Sequence, residues 1–296
     1  MLSKLLKHEF RNTWRLILIL NAVAILLAFC VMLLIRGYDW AEPFMFRGNE
    51  LFLAWEDFYS LLSSTFIGLY IVFMIAANVI VYLFLSMRFY REIYSEAGYL
   101  MHALPVTKGQ LLWAHLICSG LWLLEFAIVD AICVLIAVSG IPEIYAEFFR
   151  AVSEVFTELA SWAQNHPLVT VQIAVMIVLM FISWIVTPFA QMLQTYCAIS
   201  LGQVFKTHRV IGAVVMYFVI SFVTGIVSQV IAFFMMMGFG STMARIEWVP
   251  DTGHAAQLML GTVNVAMVVT LLLGAGLCVT YFLVTHHWMK NRLNLE

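Results

Sequence analysis

Two carboxylates stand where carboxylates are costly. Glu125 and Asp130 lie inside an apolar run from Leu111 to Val138, where an ionised side chain costs about 2.5–3.5 kcal/mol on membrane-insertion scales. Acids in such a position face protein or water. They either line a transport or coupling path or serve as hydrogen-bonded structural groups. Five positions separate them, about 140° around a helix, so they do not converge on one paired-carboxylate site. Gln191, Gln194 and Thr195, just beyond Pro188, form a second polar set in an apolar run. They either line a lumen or bond to neighbouring helices, and helix-to-helix bonding is the expectation.

Other chemistries are excluded by residue type and spacing. The histidines His8, His102, His115, His166, His208, His254, His286 and His287 are scattered, and none belongs to an HExxH sequence. Cys30, Cys118, Cys133, Cys197 and Cys278 all lie in apolar runs, with no CxxC or Cys/His cluster. Neither a disulfide framework nor a zinc site is expected, and the thiols read as buried small hydrophobes. No catalytic residue, metal site or nucleic-acid partner is expected. No GxxxxGK[ST] loop occurs and no glycine is followed by lysine, so this chain binds no ATP by that mechanism.

The elements that position these residues follow from composition. Of 296 residues, 64% are hydrophobic and 11% charged, against about 25% charged in a soluble domain. A membrane helix needs about 20 mostly apolar residues. Six runs qualify, 16–35, 61–87, 111–138, 168–201, 210–239 and 255–285, which predicts an all-α integral membrane fold in one transmembrane domain, 1–296. The fourth run, at 34 residues, exceeds what a core of about 30 Å needs unless it tilts, kinks or projects into water. Pro188 is the expected kink.

Charge orients the runs. With the amino terminus in the cytoplasm, six spans return the carboxyl terminus there. The inner side then holds Lys4, Lys7, Arg11, Arg15, Arg88, Arg91, Lys108, Lys206, Arg209, Lys290 and Arg292, which is 11 of the 15 basic residues. Positive charge collects on the cytoplasmic side of short loops. The same bookkeeping puts 11 of the 17 acids in outer loops. The first run is too long for a signal-peptide core and no Ala-x-Ala follows, so cleavage is not expected.

Two amphipathic segments accompany the spans. Leu2–Arg15 places Leu2, Leu5, Leu6, Phe10 and Thr13 on an approximate stripe among basic residues, which predicts an interfacial helix on the cytoplasmic leaflet. A second, extracellular helix is predicted over about 142–163. There Ile144, Phe148, Val152, Val155, Leu159 and Trp162 share a face, apart from Glu147, Arg150, Glu154 and Glu158.

The segment from Arg88 to Gln110, RFYREIYSEAGYLMHALPVTKGQ, is the most detailed stretch outside the spans. Phe89, Ile93 and Ala97 recur every four residues, as in a short helix. Gly98 is a stop signal, and Pro105 forces the preceding residue out of helical geometry. Thr107 and Gln110 have capping-box spacing and start the next helix. A short cytoplasmic helix, a hard turn and entry into the third span are therefore expected.

Arg88-Phe89-Tyr90, Gly98-Tyr99-Leu100-Met101 and Leu104-Pro105-Val106-Thr107 resemble the first cytoplasmic loop of bacterial type 2 permeases, the membrane subunits of ATP-binding-cassette exporters. The six-span layout is similar as well. The resemblance implies a coupling helix that docks on a separate ATPase subunit through Arg88, Tyr90, Arg91, Glu92, Tyr94, Glu96, Gly98, Tyr99, His102, Leu104 and Pro105. It further implies two copies of that ATPase holding ATP and magnesium, a second permease copy, identical or related, and a non-enzymatic transport role in the bacterial plasma membrane. Glu125, Asp130, Gln191 and Gln194 are then the candidates for the translocation path. A membrane-embedded enzyme acting on lipid or peptide, and a non-transporting scaffold or immunity protein, are the alternatives.

Overall fold

The computed structural model describes residues 2–41, 50–95, 107–205, 208–246 and 252–291. Seven helices follow in order: α1 (Leu2–Ala41), α2 (Glu50–Tyr94), α3 (Lys108–Val138), α4 (Pro142–Asn165), α5 (Pro167–Gly202), α6 (Arg209–Ile246) and α7 (Thr252–Asn291). No strand occurs among the described residues. All but α4 are long and apolar enough to cross a membrane, so six helices fit a multi-pass membrane protein. Each of the six apolar runs falls inside one helix.

The helices outrun the runs that define them. Helix α1 is unbroken over 40 residues, so Leu2–Arg15 is the first part of that long helix and not a separate element. Its buried stripe is Leu5, Glu9, Thr13, Ile17, Asn21, Ala24, Ala28 and Val31, steps of three and four that keep one helix face inward. Leu6 and Phe10 are only half-buried. Of the expected stripe, Leu5 and Thr13 are buried, joined by Glu9 rather than Leu6 and Phe10. Much of the expected outer loop 36–60 is helical too, since α1 runs to Ala41 and α2 begins at Glu50. The extra length is not peculiar to the fourth run, because α5 at 36 residues has close counterparts in α1, α6 and α7.

The chain divides into two compact units, one of Lys7–Leu85 and Leu121–Val155, the other of Met1–Leu6, Ser86–Gly120 and Phe156–Glu296. The first is centred on Ala24, Ala28 and Val31 of α1, Tyr70 of α2 and Cys133 of α3, flanked by Leu27, Ile67, Met74, Val129 and Ile136. Alanines four apart on α1 leave room for a neighbouring backbone, the usual device of close helix packing in a membrane. Trp122 of α3 donates from Nε1 to Thr13 Oγ1 at 2.7 Å and packs its ring against Phe10.

In the second unit α5 packs against α7 and α6. Its half beyond Pro188 is buried on almost every side, from Met192 to Ser200. The half before Pro188 exposes Val171, Val175, Val178 and Phe181. A helix that is apolar all round belongs either in a protein interior or against lipid, and α5 does both in succession. Gly202 and Gly212 let the turn between α5 and α6 close, because a Cβ on Gly202 would run into the backbone of Ala213. Gly120 of α3 similarly lies flat against the Phe189 ring. Three of the five cysteines, Cys118, Cys133 and Cys197, are buried as expected, whereas Cys30 lies on an exposed face.

Candidate functional site at the base of the Arg88–Gln110 segment

Helix α2 does not stop where its apolar run stops. Nothing between Met87 and Tyr94 breaks a helix, and Val81, Leu85, Phe89 and Ile93 extend one buried stripe at spacing four, each no more than 2% exposed. Arg88–Tyr94 is therefore the last two turns of α2 and not a free-standing helix. Glu96, Gly98, Tyr99, His102, Leu104 and Pro105 lie outside the described residues. The segment resumes at Thr107, where the expected capping box is formed. Gln110 N donates to Thr107 Oγ1 and Thr107 N to Gln110 Oε1, both at 3.3 Å.

The end of α2 is bound to α3 and α5 by an aromatic and polar cluster. Phe89 stacks on Tyr196 of α5 with ring centroids 3.8 Å apart and planes 14° apart. It also meets His115 of α3 edge-on at 5.7 Å. Tyr94 donates its hydroxyl to Ser200 Oγ at 2.8 Å, and Ser200 donates to the Tyr196 carbonyl at 2.8 Å. The Tyr196 hydroxyl lies 2.6 Å from Ser119 Oγ, so one phenol ties α5 to α3. Arg88 Nε donates to Glu92 Oε1 at 2.7 Å, one turn along α2, and His115 Nε2 approaches Glu92 Oε2 at 3.4 Å. Phe89, Tyr196, His115, Ser119 and Ser200 are all buried.

This geometry sorts the candidate contact residues. Arg88, Glu92 and Tyr94 turn inward, with the Arg88 and Glu92 side chains 9% and 18% exposed. Tyr90 is half-buried, and Arg91 alone among the five faces solvent. An ion pair this enclosed holds mainly by geometry, since losing one partner strands the other charge.

No family model, curated protein or solved structure matches the chain.

The intramembrane acids are accounted for separately, in the other unit. Asn21 of α1 donates from Nδ2 to Glu125 Oε1 at 2.6 Å. Asn78 of α2 donates from Nδ2 to Asp130 Oδ2 at 2.7 Å. The two carboxylates reach different helices, as their angular separation requires, and each acts as an acceptor for a carboxamide. The second atoms of the first pair, Asn21 Oδ1 and Glu125 Oε2, are buried without a hydrogen-bond partner among the described residues. Gln194 Nε2 donates to Ser221 Oγ of α6 at 2.9 Å, a helix-to-helix bond, while Gln191 is exposed.

Sequence reasoning missed the partners more than the acids. Asn21 and Asn78 are lone carboxamides in apolar runs, and each was a legible signal that something polar must face it. Tyr196 and Ser200, four apart on α5, were a similar signal. Asn264 of α7, which donates to the Gln172 carbonyl of α5 at 2.9 Å, was another.

Proposed function

We propose that this chain is the membrane permease subunit of an ATP-binding-cassette exporter in the bacterial plasma membrane. On this reading both termini are cytoplasmic, α4 is extracellular, and the amino-terminal turns of α1 lie at the inner interface. Two copies of a separate ATPase subunit, holding ATP and magnesium, act on the Arg88–Gln110 segment. A second permease copy completes the path. The cargo is a hydrophobic or amphipathic molecule moved by alternating access.

The observation that supports this reading best is the anchoring of the segment's base. A loop that only connected two spans would need no buried link to a third. Here the last turns of α2 are stacked on and hydrogen-bonded to α5 through Phe89–Tyr196 and Tyr94–Ser200, Phe89 meets His115 of α3 edge-on, and Tyr196 is tied to Ser119 of α3. A push delivered to the segment would therefore move three helices together, which is what a coupling element must do. Arg91, turned outward at the same level, is the described residue available to an external partner.

Co-purification tests the reading. The wild-type chain is expected to carry an ATPase subunit through detergent extraction, and Arg91→Glu is expected to lose it while remaining folded by circular dichroism. Glu92 is the wrong position for this experiment, since its reversal would break the internal pair with Arg88. A wild-type chain that retains no ATPase subunit under mild extraction would end the proposal. Retention by both forms would remove Arg91 from the contact.

A further inference from the structure

The carboxyl-terminal turns of α7 carry a recess of about 480 Å³ lined by Leu283, Val284, His286, His287, Trp288 and Lys290. Its polar lining is Lys290, the two imidazoles and the Trp288 indole, with no carboxylate. The amino-terminal end of α3 comes alongside, with Gly109 against the His286 ring and Lys108 Nζ donating to the Met289 carbonyl at 2.7 Å. Burial, and after it the like charge of Lys290, disfavours the charged form of Lys108. Among the described residues, neither lysine is paired with a carboxylate. The positive end of the α3 dipole meets the negative carbonyl end of α7 here, so the two helix ends offset one another.

Capping of the α7 carbonyls explains Lys108 but not Lys290. Lys290 is exposed, and His286 and His287 border the recess. The α7 carbonyl that Lys108 contacts offsets part of this positive charge, and an anion or water is needed for the rest. The apolar side is equally marked. Trp113 packs on Phe282 at 5.1 Å, Phe282 stacks on His286, and Leu283 is 61% exposed on a membrane-crossing helix. Basic groups beside tryptophans at the end of a spanning helix are the arrangement that holds an acidic lipid, phosphate on the cations and chains along the apolar surface.

We propose that the recess on the end of α7, with Lys108 at the start of α3 beside it, binds the head group of an anionic phospholipid. Lys108 and Lys290 hold the phosphate, Trp288 sits at the head-group level, and the acyl chains lie along the exposed face of α7. A free phosphate compound would use the cations but not the exposed apolar face that carries Leu283. The site does not depend on whether an ATPase drives the chain.

Native mass spectrometry of the full chain, released from micelles doped with phosphatidylglycerol or phosphatidylcholine, tests this. Phosphatidylglycerol is expected to remain bound at lower lipid concentrations than phosphatidylcholine. A juxtamembrane basic residue contributes about 1 kcal/mol toward an anionic lipid. Lys290→Gln should therefore weaken retention about fivefold, and Lys108→Gln with Lys290→Gln about 30-fold, while Lys290→Arg retains it. Lys290→Gln keeps the test decisive if the double variant misfolds, because the Lys290 side chain is exposed. Equal retention of the two lipids, or no loss in Lys290→Gln, overturns the proposal. Displacement of phosphatidylglycerol by millimolar inorganic phosphate would overturn the lipid assignment in favour of a soluble phosphate. Displacement by an acidic peptide but not by lipid would do so in favour of a protein partner.

Discussion

Truncating Phe89 to alanine is the sharpest test of the cluster at the base of the segment. Phe89 is fully buried and its ring is stacked on Tyr196 at 3.8 Å. Removing a buried phenylalanine costs about 3–5 kcal/mol, the lost transfer energy plus the cavity left behind. About 0.5–1.5 kcal/mol of that belongs to the aromatic pair itself. Phe89→Leu keeps most of the apolar volume and should cost about 1.5 kcal/mol or slightly more, because the stacking is lost while the cavity is largely filled. The assay is reversible unfolding in mixed micelles with increasing denaturing detergent, followed by helical circular dichroism, on Phe89→Ala, Tyr196→Ala and the double variant. Contact predicts that the double variant is less damaged than the sum of the singles by about 1 kcal/mol. Residues that do not touch add to within about 0.5 kcal/mol. Additivity at that level, or a cost below about 1 kcal/mol for Phe89→Ala alone, would refute the stacking and with it the anchoring argument.

Three further outcomes follow from the same geometry. Glu125→Gln should match or exceed the wild type in that unfolding assay, since a carboxamide accepts from Asn21 Nδ2 and donates to the unpartnered Asn21 Oδ1. Glu125→Ala, by contrast, should lose about 1–3 kcal/mol by stranding Asn21. Gly120→Val should fail to fold against the Phe189 ring and be rescued at least in part by Phe189→Ala; rescue failure would mean the collision lies elsewhere. Arg91→Cys should react with a membrane-impermeant maleimide in opened membranes, whereas Ile93→Cys, two residues on and fully buried, should react only after denaturation. Equal labelling of the two would show that the end of α2 is not held as described.

Some of this was legible from residues alone. Runs of twenty or more apolar residues can satisfy their backbone in a bilayer only as helices, so six spanning helices follow from composition without any tertiary contact. The capping box at Thr107 was equally readable, because its two bonds join residues three apart. The 140° between Glu125 and Asp130 is helix geometry, and it correctly sends the two acids to different neighbours. What failed were element ends. Leu2–Arg15 and Arg88–Tyr94 carry charges that suggest separate surface helices, yet no glycine or proline interrupts either one. Their buried stripes at spacing three and four continue those of the adjoining spans.

Sequence by itself determined where this chain is apolar, where its helices must run, and which few polar groups needed an explanation. Only the tertiary structure decided which polar group answers which: Asn21 for Glu125, Asn78 for Asp130, Ser200 and Ser119 for the two tyrosines. It also decided that Glu92 turns inward while Arg91 turns out. The reason is physical. Helical periodicity depends on neighbours three and four residues away and is written locally. Partners such as Asn21 and Glu125, 104 residues apart, are chosen by how helices lie against one another, which no local spacing records.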